Sequence, residues 1–263
     1  DISVAGSLLV GTDAQVSAGR NLDVPGVVIV QQDGVFNAQN NLTGSGSVAF
    51  GQNGTLTTGQ DVAFTGKLLA NGLQVTAGNN ASLADVQAGG AFNVAANGIT
   101  SNPAGGGDVT FNGNAASVGA ANVQAARDIV VNGTLAGGSQ VTLTAQRNVA
   151  VVPAGTVQAV GDLSVAAVNG SVNSSGTLNG AANLTVNGAQ DVALTGATSV
   201  TGDTTLTAGH DLTIGGTLAG QGAATLSAGH DVIAGGSSGF VKDANVNAAN
   251  DLSVTGALQG AGV

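Results

Sequence analysis

His210 and His230 stand 20 residues apart in near-identical settings, LTAGHDLTIGGTL from Leu206 and LSAGHDVIAGGSS from Leu226. If the chain brings them to equivalent places on neighbouring layers, their imidazoles lie about 5 Å apart and could share a transition-metal ion. No third ligand is evident in the sequence, and Arg20, Asn40, Gln60, Arg127, Arg147 and Asn250 occupy the same place elsewhere. A polar or basic residue that offsets the charge of the acid beside it is the simpler reading, so no metal site and no cofactor are expected. The acids recur as regularly, at Asp61, Asp108, Asp128, Asp191, Asp211, Asp231 and Asp251. Stacked carboxylates suggest calcium, but one Asp per repeat, replaced by Asn in several, is a poor set for a hard cation. Asp and Asn both cap the backbone N–H groups of their own turn, so a structural turn column is expected.

Other chemistries find fewer residues. The chain has no Cys and no Glu, its only two His share one place in the repeat, and Lys67 and Lys242 are far apart. A nucleophile, base and orienting acid cannot be assembled from that set, nor the grouped Asp, Arg and Lys of a polysaccharide lyase, and the chain is not expected to be an enzyme. Thr pairs such as Thr55/Thr57, Thr142/Thr144 and Thr205/Thr207 hint at an ice-binding array. Gln15, Asn37, Asn122 and Asn245 interrupt it, which leaves a solvated polar face. Without Trp or Tyr there is no ring to stack on a sugar, so a lectin site on that face would be weak.

Composition narrows the elements that could position these residues. Charged residues make up 8% of the 263, against roughly 25% in ordinary globular chains. The net charge of −10 and five scattered basic residues leave no track for nucleic acid or an anionic membrane. Good helix formers are scarce and Gly numbers 44, while Val, Thr and Asn favour short strands with tight corners. Regular spacing of the 43% apolar residues argues against disorder. No apolar run approaches a membrane span, and the opening DISVAGSLLVG has neither Met nor a charged leader, so an excerpt of a longer chain is expected.

Anchored on the Asp or Asn after each turn, repeats begin at Asp1, Asn21, Asn41, Asp61, Asn80, Asp108, Asp128, Asn148, Asn169, Asp191, Asp211, Asp231 and Asp251, mostly 20 residues apart. Apolar residues fall at positions 2, 4, 8, 10, 14, 16 and 18, as in Ile2, Val4, Leu8, Val10, Ala14, Val16 and Ala18. Three bursts of period-2 alternation, each closed by turn residues, describe one coil of a solenoid. A lone coil cannot bury its apolar side, whereas stacked coils share a core. The expected fold is therefore all-β: a right-handed parallel β-helix of about 13 coils, each of roughly 20 residues and three short strands, on the order of 60 Å long. A left-handed helix of hexapeptides would need a multiple of six. Residues 1–263 are expected to form one continuous segment with a loop insertion at 99–107. In this register Phe36, Phe50, Phe64, Phe92, Phe111 and Phe240 all point inward as core aromatics, and Pro25 and Pro153 fall at corners.

The recurring motif is apolar-[Ser/Thr/Asn]-Ala-Gly-[Arg/His/Gln/Asn]-[Asp/Asn]-apolar-x-apolar-x-Gly. It appears as VSAGRNLDVPG, LTTGQDVAFTG, LTAGHDLTIGG and LSAGHDVIAGG, with Ala for Gly in VQAARDIVVNG and VNAANDLSVTG. Repeated about a dozen times, it resembles the repeat region of the filamentous haemagglutinins, large secreted adhesins of Gram-negative bacteria. The resemblance implies a β-helical shaft, export through an outer-membrane two-partner-secretion transporter, exposure at the cell surface, and attachment to host receptors or glycans through the full-length adhesin. That family's export domain carries Asn-Pro-Asn motifs; here only Asn102-Pro103 stands in a Gly-rich stretch, and no Arg-Gly-Asp occurs. Shaft is thus the expected role, with a glycan- or receptor-binding repeat surface as the alternative and a lyase a distant third.

Overall fold

The computed structural model describes residues 1–98 and 106–260. Among them there is no helix; the chain is a parallel β-solenoid of about 13 turns with about 20 residues and three strands per turn. It divides into two compact units, Asp1–Arg127 with Gly133–Gly138, and Asp128–Asn132 with Ser139–Val263. The expected loop at 99–107 falls outside the described residues except for its last two, Gly106 and Gly107.

In the first unit a complete turn runs through Leu22–Val24, Val27–Val30 and Gly34–Ala38. Each strand pairs in parallel register with its equivalent in the turns before and after, so like sits on like. Leu22 lies between Ile2 and Leu42, Val28 between Leu8 and Val48, and Phe36 between Val16 and Leu56. The alternation in the sequence thus becomes three inward columns: Leu22, Val28, Leu42, Val48 and Leu56 are fully buried. The second unit repeats this, with Leu212 between Val192 and Val232, and Leu206 between Val186 and Leu226. Two turns of the first unit depart from three separate strands. Val62–Ala70 and Ala81–Ala88 each run through the first corner as one strand, with a register shift between Phe64 and Lys67.

The six Phe side chains lie in the core, 0–4% exposed. Stacked turns leave little room for a ring, and the space comes from glycine. A Cβ on Gly34 would lie 2.1 Å from the Phe50 ring, one on Gly54 2.3 Å from its other edge, and one on Gly44 2.2 Å from Phe64. Phe36 and Phe50 then meet edge to face at 5.3 Å between centroids, and Phe92 and Phe111 at 6.0 Å.

A second set of glycines marks the corner after the first strand. A Cβ on Gly46 would sit 1.7 Å from the Gly26 carbonyl oxygen, and one on Gly216 1.9 Å from that of Gly196. None of these has a positive φ; that conformation is confined among the described residues to Gly98, just ahead of the insertion, and Gly107, its last residue. The corner glycines are there because successive corners lie on one another.

One repeat boundary differs from the sequence reading. Ser171, not Asn169, takes the place of the turn-column residue: its N–H donates to Asn148 Oδ1 at 3.0 Å across 23 residues, and Val172 pairs with Val149. Extra residues at Pro153 and Ala154, in a turn between Val149–Val151 and Thr156–Ala159, had hidden the register, and the substitution of Ser for Asx removed its marker.

Two substitutions test this packing. Gly216→Ala is expected to cost about 1–3 kcal/mol, because backbone must move to admit the methyl group. Gly239→Ala, whose Cβ would meet nothing within 4 Å, should change stability by less than about 0.5 kcal/mol in urea unfolding. Conversely, Thr204 is 1% exposed and its hydroxyl has no hydrogen-bond partner. Thr204→Val should raise the unfolding free energy by about 1 kcal/mol, since it removes a buried, unpaired hydroxyl at nearly constant volume.

Candidate functional site

The turn column is a ladder of side chain to backbone bonds. In the first unit Asn21 N–H donates to Asp1 Oδ1, Asn41 to Asn21, Asp61 to Asn41, Asn80 to Asp61 and Asp108 to Asn80, all at 3.0–3.3 Å. In the second unit Asn148 donates to Asp128, and Asp191 donates to the Ser171 hydroxyl. From there Asp211 donates to Asp191, Asp231 to Asp211 and Asp251 to Asp231. Each side chain accepts the N–H of the next turn rather than one in its own turn, so the column ties layers together. Asp, Asn and Ser serve alike because each brings an acceptor oxygen to the same point.

A second ladder, not found in the sequence, runs along the corner before the third strand. Asp33 N–H donates to Asp13 and Asn53 N–H to Asp33 in the first unit. In the second, Asn183 donates to Asp162, Asp203 to Asn183 and Ala223 to Asp203. The expectation of one Asp per turn therefore fails where both corners carry one. Its signal was a polar residue just ahead of the third apolar burst, as in GTDAQV, QQDGVF and TGDTTL; it was obscured because the place also accepts Ala223 and other residues with no acceptor.

Carboxylates stacked turn on turn repel one another, and the residue that precedes the next ladder position supplies a cation or a neutral hydrogen-bond donor. Arg20 reaches Asp1 at 2.8 Å. Arg127 and Arg147 each bind two-pronged, Nε to Oδ1 at 2.7 Å in Asp108 and 2.8 Å in Asp128, with the terminal nitrogen on Oδ2. Asn79 donates to Asp61 and Asn250 to Asp231, each at 2.9 Å. The hydrogen bond from Arg147, aided by the Asn148 N–H, holds the Asp128 carboxyl below its usual range.

His210 and His230 continue the pattern, stacked at 4.8 Å with rings 4° from parallel. Here the structure corrects the sequence reading, which found no third ligand. Asp211 lies between them, with Oδ2 3.1 Å from His210 Nδ1 and Oδ1 3.1 Å from His230 Nδ1. Asp191 and Asp231 flank the pair, each 3.3 Å from the nearer imidazole nitrogen. The Asp231 backbone N–H, with His230 beside it, keeps the Asp211 carboxyl below its ordinary range.

The Arg147–Asp128 pair has a defined pH signature. A lowered folded-state pKa contributes stability above the ordinary Asp value of 3.8 and loses it as pH falls through the lower folded value. Arg147→Ala should therefore lower the melting midpoint at neutral pH, by the equivalent of less than about 1 kcal/mol given the exposure of Arg147. The gap from the parent should close in strong acid; a gap of the same size there would show that the Arg acts by packing alone.

The family described as Haemagglutinin repeat matches residues 1–85 and 188–259, more than half of the chain. No curated protein and no solved structure matches it. The matched stretches contain VSAGRNLDVPG, LTTGQDVAFTG, LTAGHDLTIGG and LSAGHDVIAGG, copies of the motif that carried the resemblance seen in the sequence: the chain belongs to the haemagglutinin repeat family.

Proposed function

We propose that this chain is a segment of the shaft of a secreted, surface-exposed filamentous adhesin that attaches bacteria to host cells. In this reading an outer-membrane two-partner-secretion transporter exports it, and host receptors or glycans are engaged by the full-length adhesin. The haemagglutinin repeat and the parallel solenoid fit such a shaft. The observation that carries the reading is the use of the polar residues: Asp, Asn, Arg and His at the corners are bonded to the adjacent turn. Chemistry spent between layers builds length. Nearest-neighbour bonding also suits export, since each turn can form on the one before it.

The alternative, a glycan- or receptor-binding repeat surface, draws on one groove in the second unit. It has a volume of about 800 Å³, with Ser199, Thr201, Gln221 and Gln259 offering polar groups beside Val241. Its single ring, Phe240, is 4% exposed and cannot stack on a pyranose. The test is binding of the chain to ciliated epithelial cells and to a glycan panel, beside an unrelated parallel β-helix. The shaft reading expects no saturable binding above that control. Saturable binding lost on Gln221→Ala and Gln259→Ala would instead assign adhesion to the groove.

A further inference from the structure

Two imidazoles and a carboxylate converge on one strip of surface in the second unit. One ligand atom from each of His210, Asp211 and His230 lies within 4.8 Å of the others. We propose that these three residues form a binding site for a borderline divalent transition-metal ion of the zinc or nickel type, and that the bound ion clamps two successive turns together.

The geometry suits a chelate. Both histidines direct Nδ1 at the Asp211 carboxylate. The two carboxylate oxygens have separate duties: Oδ1 accepts the Asp231 N–H at 3.1 Å and holds the ladder, while Oδ2 faces His210 and is the oxygen open to a metal. With metal–nitrogen bonds of about 2.0–2.1 Å, two nitrogens on a tetrahedral ion lie about 3.4 Å apart. From ligand atoms within 4.8 Å of one another, the imidazoles must therefore close up by at most about 1.4 Å. His210 and His230 side chains are 58% and 46% exposed and have that freedom. Water would fill the remaining positions.

Charge favours the same ion. Asp191, Asp211 and Asp231 bring three carboxylates to the strip, and the corresponding residues in the turns on either side, Gln190 and Asn250, are uncharged. A dication meets the field of these three carboxylates, and no Arg or Lys stands at the histidine place in the adjoining turns to offset it. Two nitrogen ligands to one oxygen select zinc, nickel or copper over calcium and magnesium, which prefer oxygen throughout. The ligands come from sequence positions 20 apart, so the ion staples adjacent layers, and stabilisation grows with occupancy.

The chain supplies its own conservative variants. Asn holds the Asp211 place in other turns, at Asn21, Asn41 and Asn80, where it keeps the backbone bond; Asp211→Asn should fold and lose only the metal oxygen. Gln60 and Asn250 stand where the histidines do, which makes His210→Gln with His230→Asn the matching double variant. Zinc chloride is titrated into the chain calorimetrically, with parallel thermal melts and calcium chloride as the comparison. The expected result is one zinc per chain, a higher melting midpoint, affinity at least about tenfold weaker in Asp211→Asn, and no saturable binding in the double variant. Three outcomes would overturn the proposal: no saturable zinc binding at millimolar metal, binding unchanged in the folded double variant, or calcium binding as tightly as zinc.

Discussion

Within each unit the governing constraint is the parallel, in-register hydrogen bond between one turn and the next. It places every residue on its equivalent about one strand spacing away, and nothing else in the structure can be chosen independently of it. An inward side chain must rest on an inward side chain, a corner on a corner and a turn-column residue on its equivalent. Apolar columns gain from this, since they pack without a gap. Charged columns and bulky rings lose, and much of the local detail is the compensation.

The compensations take three physical forms. Rings are accommodated by removing the side chain they would strike, as at Gly34 and Gly54 around Phe50. Corners approach until a Cβ would collide with a carbonyl oxygen, which leaves glycine at Gly46 and Gly216. Acid on acid is relieved by interleaving: an Arg, His or Asn beside the carboxylate, an N–H from the next turn on its other side, and Asn in place of Asp in some layers, such as Asn21 and Asn41. The His–Asp strip differs only in that its donors are also metal ligands.

Much of this architecture was legible because its period is written in every turn. The Asx column ahead of the first strand and the inward Phe positions followed from counting. What escaped the sequence depended on depth rather than period. The second ladder hid behind a position that tolerates Ala223, and Ser171 was missed because a hydroxyl does the work of a carboxamide without resembling it. The placement of Asp211 between two histidines could not be read from adjacency in sequence, because His210 and Asp211 are neighbours along the chain whereas Asp211 and His230 are neighbours only across a turn.

The interchangeability of Asp, Asn and Ser along the ladder ahead of the first strand has a consequence for how such a sequence can drift. Each exchange of Asp for Asn alters the formal charge by one unit while the acceptor oxygen stays in place. Surface charge is thereby uncoupled from the architecture. A lineage built on this ladder can retune its electrostatic relation to its surroundings through single substitutions, keeping the scaffold constant, and the −10 carried by this chain is one setting among many that the same backbone would accept.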